Sequence, residues 1–234
     1  MKMKNKKAEQ IEAKRRHKEF LKSKRREEPD LQRSEPYLTE KPTFLIVCEG
    51  KNTEPSYFSK FRLSSATIKT VGEGFNTVTL VERAFIISQE KSYDQVWCVF
   101  DKDDFPPEDF NTAIQMAESG GMHVAYSNQA FEYWIILHFN DHQGGGMHRN
   151  TYHGILNGLL RRFNVGYDGL GSKIITEELF EVMDGIDEQT NLERKILAIR
   201  RARRNCEHFD GSNPANEESS STVFKIVEEL IRYL

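Results

Sequence analysis

From residue 43 onward, short apolar runs alternate with segments whose apolar residues recur at helical spacing. The runs at 43–48 and 95–100 lack Gly and Pro and are rich in aromatic and β-branched residues, which is typical of strands buried on both faces. A more amphipathic strand is predicted over 66–71, and a further strand over 122–126. Between these strands the pattern predicts three helices, over 53–63, from Asn76 or Thr77 to about Lys91, and near 108–119.

The order of these elements, in which strands alternate with helices, predicts an α/β fold. Its sheet should be mostly parallel, with right-handed crossovers and helices on its faces. After residue 126 the pattern becomes helical, and Asn128 is a good N-cap for the next helix. The glycine-rich stretch 143–146 is predicted to be a hinge or linker. Later helices are predicted over 151–163, 176–183, 189–206 and 222–234.

With 234 residues, the chain is long enough for one domain with appendages. We predict a basic, flexible arm and linker over 1–42, an α/β core over 43–140, and a helical part packed on the core over 141–234. Charge sets the arm apart. Residues 1–26 contain twelve Lys and Arg against three Glu, a charge of +9, whereas the whole chain has a formal net charge of −3. Residues 27–234 therefore carry a formal charge of −12.

A basic arm on an acidic body is a common arrangement for contacting nucleic-acid phosphates, here through residues such as Arg15 and Arg16. Such an arm is also compatible with a solubilising tail or with a helix docked on the body. A second basic cluster falls on the predicted helix 189–206, where the planar fork of arginine suits phosphate, and the alternative is a solvated helix face. This cluster consists of Arg200, Arg201, Arg203 and Arg204.

The composition also bears on the compartment. The sequence contains no stretch that approaches the ~20 apolar residues of a membrane span, and its N-terminus lacks the apolar core of a secretory signal. The three cysteines are odd in number, and Cys48 and Cys98 fall inside predicted core strands. We therefore expect reduced thiols in a cytoplasmic protein that does not enter a membrane.

Acidic residues follow two of the predicted strands directly. Glu49 comes after the first strand, and Asp101, Asp103 and Asp104 come at the end of the third. In an open parallel sheet, ligands bind beyond the carboxyl ends of the strands. Asp101 and Asp103 would point the same way in extended backbone, and two carboxylates held together repel each other unless a cation lies between them. Hard oxygen ligands favour Mg²⁺ or Mn²⁺. The alternative is an acidic loop that caps the next helix.

The segment after the first strand is built for a tight connection. Gly50 is expected to let the backbone turn sharply beside Glu49. Thr53 or Asn52 can cap a helix that has Pro55 in its first turn. If the first and third strands are neighbours, the acids at their ends converge. Glu49, Asp101 and Asp103 would then form the minimum acidic set for one or two divalent metals that act on a phosphodiester.

A strand that ends in Glu-Gly and a later strand that ends in Asp-x-Asp resemble the Toprim domain of primases, topoisomerases and overcoming-lysogenisation-defect nucleases. The segments 44–58, 96–105 and 127–139 resemble, in order, three blocks of the RloB family. That family carries Asn-Pro-Ser-Thr near its C-terminus. Here Asn213-Pro214 and Ser221-Thr222-Val223 are separated by six residues, which is a departure from the pattern.

The resemblance implies a Toprim-like sheet and a metal-dependent nuclease of prokaryotic defence loci that acts against phage on RNA or DNA, with a possible partner protein from the same locus. Asp101 and Asp103 would bind Mg²⁺ or Mn²⁺, and Glu49 would act as a ligand or as the general base. Lys51 and Lys102 flank the acids and could offset charge in the transition state, Lys102 also as a nucleic-acid contact. Further candidates for the site are Glu54, Asp104 and Glu132.

Two alternatives to a nuclease remain open from the sequence. The acids could hold a metal or nucleotide in a non-catalytic sensor that signals to another defence component. They could also only cap helices in an interaction subunit. Glu132 carries the same ambiguity, because an acid in the first turn of a helix is favoured by the helix dipole alone.

Overall fold

A computed structural model of the chain describes residues 3–24, 41–70, 77–104 and 106–234. The chain divides into two compact units, residues 1–40 and residues 41–234. In the first unit, Met3–Lys24 forms one helix, α1, and all its side chains from residue 8 to residue 23 are exposed to solvent. Arg15 and Arg16 pair with glutamates one turn away, at 3.6 Å and 3.7 Å from Glu12. The predicted basic arm is therefore helical over its described part.

The second unit contains a parallel sheet, as the sequence predicts. Within the described residues its four strands are β1 (Phe44–Cys48), β2 (Ala66–Thr70), β3 (Gln95–Asp101) and β4 (His123–Ser127), in the order β2-β1-β3-β4. All three strand pairs are parallel. Every residue of β1 is completely buried, because helices cover both faces of the sheet.

Three helices connect the strands and lie close to their predicted positions: α2 (Thr53–Ser59), α3 (Thr77–Ser88) and α4 (Pro107–Ser119). Helix α2 is shorter than predicted. It ends before Arg62, whose φ of 52° is left-handed and stops a right-handed helix. Asn76, one of the two predicted starts of the second helix, lies outside the described residues.

Five helices follow the sheet: α5 (Glu132–Ile136), α6 (Tyr152–Leu160), α7 (Glu177–Asp184), α8 (Arg194–Glu207) and α9 (Val223–Ile231). Helix α5 begins later than predicted, because Asn128 does not cap it. The Asn128 side chain is buried and donates to the backbone carbonyls of Pro214 and Ala215, at 2.8 and 3.1 Å. Helix α8 also begins later than predicted, since Asp187 accepts hydrogen bonds from the amides of residues 189 and 190 and forms a turn there.

Two hydrophobic cores lie on opposite faces of the sheet. Alternate strand residues such as Leu45 and Phe100 pack with α3 and α4 on one face. Their neighbours, such as Ile46 and Trp97, pack on the other face with the helices that follow β4. The region 141–234, which the sequence predicts to pack on the α/β core, shares the compact unit 41–234. No helix of the described residues is long and apolar enough to cross a membrane.

Candidate metal centre at the carboxyl edge of the sheet

Glu49 and Asp101 meet at the carboxyl ends of the neighbouring strands β1 and β3. The Glu49 amide donates to the Val99 carbonyl at 3.0 Å and so continues the pairing of the two strands. The Glu49 carboxylate in turn accepts a hydrogen bond from the Asp101 amide, at 3.3 Å. The Asp101 carboxylate accepts one from the Phe131 amide, at 3.0 Å. The sheet register therefore brings these two predicted acids together.

Glu54 is a third acid of the site, and it explains Gly50. Glu54 lies in the first turn of α2 and is only 5% exposed. A Cβ atom at position 50 would overlap the Glu54 carboxylate. The backbone bends at Gly50, as predicted, but Gly50 does not have a left-handed φ, so the bend itself does not require glycine. Its role is to leave room for a buried carboxylate.

Glu132 is the fourth acid, at the start of α5. The Tyr167 hydroxyl donates to its carboxylate at 2.8 Å, and the Tyr167 oxygen also lies 3.1 Å from the Thr53 hydroxyl. Tyr167 is buried and comes from the loop between α6 and α7. It thus connects the start of α2 to the start of α5 and orients Glu132 toward the other acids.

The electrostatics of this acid cluster, by which we mean Glu49, Glu54, Asp101 and Glu132, reflect burial first and repulsion between the acids second. Burial raises the pKa of Glu49 to about 7, repulsion from Glu54 adds to the rise, and the Asp101 amide and Arg149 oppose it. Burial also raises the pKa of Glu54 to about 7, with repulsion from Glu132 and opposition from Lys173. The pKa of Asp101 is raised well above its usual value by burial and by the other three acids. Without a cation, these carboxyl groups therefore hold their protons more tightly than exposed acids do.

Asp103 does not point with Asp101, so the prediction of a shared extended backbone is wrong. Strand β3 ends at Asp101, and Asp103 has a φ of 46° in a tight turn. The turn is held by the amide of Asp103, which donates to the Gln129 carbonyl at 3.1 Å. The Asp103 carboxylate forms an ion pair with Arg149. Aspartate tolerates the left-handed conformation better than most residues, which allows this reversal.

A family model described as RloB-like protein matches residues 44–230 of this chain. The chain belongs to the RloB-like family. No curated protein and no solved structure matches it. Family membership therefore rests on a match over most of the chain.

In this RloB-like protein, the segment 219–222 lies against the end of β4. Ser221 pairs with Ser127 at the end of β4, and the Thr222 amide donates to the Tyr126 carbonyl at 2.8 Å. The Asn128 amide donates to the Ser220 carbonyl at 2.8 Å. Serines 219–221 are completely buried. The C-terminal block thus supports the carboxyl end of β4, beside the acid cluster.

The remaining predicted site residues lie at the periphery. Asp104 is exposed, and one of its oxygens lies 3.6 Å from the His148 imidazole. Lys51 is exposed and Lys102 is half-buried. The basic groups that act on the acids are Arg149, on Glu49, and Lys173, on Glu54.

Most of the predicted arginine cluster on α8 is engaged within the protein. Arg201 donates to the Leu137 carbonyl at 2.8 Å, and Arg204 pairs with Asp141 at 2.7 Å. Arg203 pairs with Glu228 and lies over the Phe224 ring. Arg200 is exposed. These contacts tie α8 to the loop after α5 and to α9, so the cluster has a structural role whether or not it meets a ligand.

A divalent cation is the group that the family resemblance implies, and the donor set fits it chemically. The cluster offers hard carboxylate oxygens whose mutual repulsion a cation would relieve. In this conformation, however, no three His, Cys, Asp or Glu side chains of the described residues are arranged to hold a metal ion. Side chains of the cluster would have to turn toward one another for a cation to bind.

Proposed function

We propose that this RloB-like protein is a metal-dependent nuclease that hydrolyses phosphodiester bonds of RNA or DNA in anti-phage defence. The observation that carries the proposal is the convergence of four carboxylates at the carboxyl ends of β1 and β3. Structural acids on a protein surface avoid such crowding, since it raises the free energy of the folded state. Strongly perturbed pKa values concentrated in one place are a common property of functional sites.

The residues have distinct proposed roles. Asp101, with Glu49 and Glu132 beside it, would hold Mg²⁺ or Mn²⁺, which as a Lewis acid would polarise a phosphate oxygen. Glu49 is suited to take a proton from the attacking water, because a pKa of about 7 lies near the working pH. Tyr167 orients Glu132 through its hydroxyl. Lys51 and Lys102 flank the cluster and would offset negative charge that develops on the phosphate.

Substrate binding is proposed to rely on positive charge outside the acid cluster. Helix α1 exposes Arg15 and Arg16, and the body exposes Arg200. These groups would contact phosphates without reading bases, so binding should weaken steeply as salt rises. We place the protein in the cytoplasm, where its three free cysteines would stay reduced, and a partner from the same locus could supply its trigger.

Cleavage of a defined panel of substrates tests the proposal. Purified protein is incubated with labelled transfer RNA, single-stranded DNA and duplex DNA, each with Mg²⁺, Mn²⁺ or EDTA. We expect cleavage of at least one substrate with a divalent cation and none with EDTA. Equal cleavage with and without EDTA would identify a contaminating or metal-independent activity and would contradict the proposal.

A non-catalytic sensor is the second candidate. It is favoured by one observation, namely that no three acids of the described residues form a ready-made metal site. In a sensor, the phosphates of a nucleotide would complete the coordination of the cation. This candidate predicts that Mn²⁺ and a nucleotide together raise the melting temperature more than either alone, while no substrate of the panel is cleaved.

A further inference from the structure

Arg149 is the basic residue placed most directly against the candidate metal centre, and no sequence motif predicts it. It begins a 3₁₀ turn, Arg149–Thr151, after the glycine-rich loop. Its guanidinium forms an ion pair with Asp103, and the two side chains are 29% and 28% exposed. Arg149 also acts on Glu49, whose pKa it holds down against the effect of burial. It therefore interacts with acids at the ends of both β1 and β3.

The loop that carries Arg149 is attached to the acidic turn at two points. Arg149 pairs with Asp103, and the His148 imidazole lies 3.6 Å from Asp104. Earlier in the same loop, Gly144 and Gly145 have φ values of 82° and 100°, which few other residues adopt. The Gly145 carbonyl accepts a hydrogen bond from the Ser219 hydroxyl at 3.0 Å, so the loop is also attached to the C-terminal segment.

The Arg149–Asp103 ion pair also competes with metal binding by Asp103. Asp103 comes two residues after the end of β3, and its carboxylate is paired with Arg149 instead of turning toward Asp101. A carboxylate shared with a guanidinium is a weaker metal ligand, since the two cations repel each other. The acid cluster also repels phosphate, so a substrate needs a cation nearby, and the planar fork of arginine matches phosphate well.

We propose that the Arg149–Asp103 ion pair is the resting state of a switch, an inference that depends on the proposed function. A divalent cation takes Asp103 as a ligand, and Arg149 is thereby released to bind a phosphate of the substrate. In the resting state, Asp103 and Arg149 bind each other. They separate only when the cation and the nucleic acid are both present. Metal and nucleic acid then bind with positive cooperativity.

The test compares Arg149→Gln with Arg161→Gln, a matched exposed arginine in the next 3₁₀ turn. Mn²⁺ affinity is measured by calorimetry without nucleic acid. Binding of a labelled 30-nucleotide RNA and of its DNA counterpart is measured with Ca²⁺ in place of Mg²⁺. We expect Arg149→Gln to bind Mn²⁺ at least as tightly as the wild type and to bind the oligonucleotides about tenfold more weakly, the loss of one charged hydrogen-bond group. Arg161→Gln should change neither.

Different outcomes reject different parts of the account. Weaker Mn²⁺ binding by Arg149→Gln, or oligonucleotide binding equal to that of the wild type, would overturn the switch and leave the proposed nuclease intact. A wild type that binds no Mn²⁺ would overturn both. Arg149→Lys keeps the positive charge but loses the planar fork. It should therefore bind Mn²⁺ as the wild type does, and its affinity for the oligonucleotides should lie between those of the wild type and Arg149→Gln.

Discussion

Asp101→Asn is expected to lower the rate of phosphodiester cleavage by about a thousandfold or more, which is typical of the loss of a group that stabilises the transition state. Asp101 is the last residue of β3 and interacts with all three other acids of the cluster. Asparagine keeps the shape and can still accept the hydrogen bond from the Phe131 amide, but it removes the charge. The rate is measured on the best substrate of the panel under single-turnover conditions.

The fold and the nucleic-acid affinity of Asp101→Asn should survive, because the substitution removes a carboxylate whose charged form is disfavoured. Asp184→Asn is the matched control. It changes an Asp on α7 that pairs with Lys195, and it should cleave at the wild-type rate. Cleavage by Asp101→Asn within tenfold of the wild type would place the chemistry elsewhere.

Glu54→Gln is expected to stabilise the metal-free protein at high pH. The pKa of Glu54 rises from 4.5 in the unfolded chain to about 7 in the folded protein. A raised pKa means that the folded state holds the proton more tightly. The stabilisation that Glu54 provides by holding this proton is therefore complete below about pH 4.5, and it is lost as pH rises through 7. Glutamine is neutral at every pH, so the loss should disappear in the variant.

At pH 8 in EDTA, Glu54→Gln should exceed the wild type by about 3 kcal/mol in the free energy of unfolding, since each pKa unit corresponds to about 1.4 kcal/mol. At pH 5 the two proteins should be nearly equal. Urea unfolding at both pH values measures the difference. Glu177→Gln is the control with the opposite sign, because Lys60 and Arg62 lower the pKa of Glu177. Equal stability of Glu54→Gln and wild type at pH 8 would show that Glu54 is not under electrostatic strain.

The sheet and its acidic edge could be predicted because both follow from local patterns. The buried runs that form β1 and β3 end directly in Glu49 and Asp101, and parallel pairing brings strand ends together whatever the rest of the chain does. A period of two residues also predicted that Asp103 would join Asp101. That rule holds only while the backbone stays extended, and the strand ends at Asp101.

The other members of the site come from distant segments, and their roles depend on tertiary contacts. Arg149 and Tyr167 lie in loops with no motif, yet they meet Asp103 and Glu132. Asn128 has the residue type of a helix cap, but a loop more than eighty residues later takes its side chain. Local preference predicted the cap, and the packing of the C-terminal segment overrode it.

The account depends most directly on whether the acids at the ends of β1 and β3 hold a divalent cation. The decisive measurement is calorimetric titration of Mn²⁺ into EDTA-treated wild type and into Asp101→Asn at pH 7, without nucleic acid. The account predicts saturable binding by the wild type with release of protons, because Glu49 and Glu54 are partly protonated at this pH. It predicts no such binding by Asp101→Asn. Equal titration curves for the two proteins would contradict it.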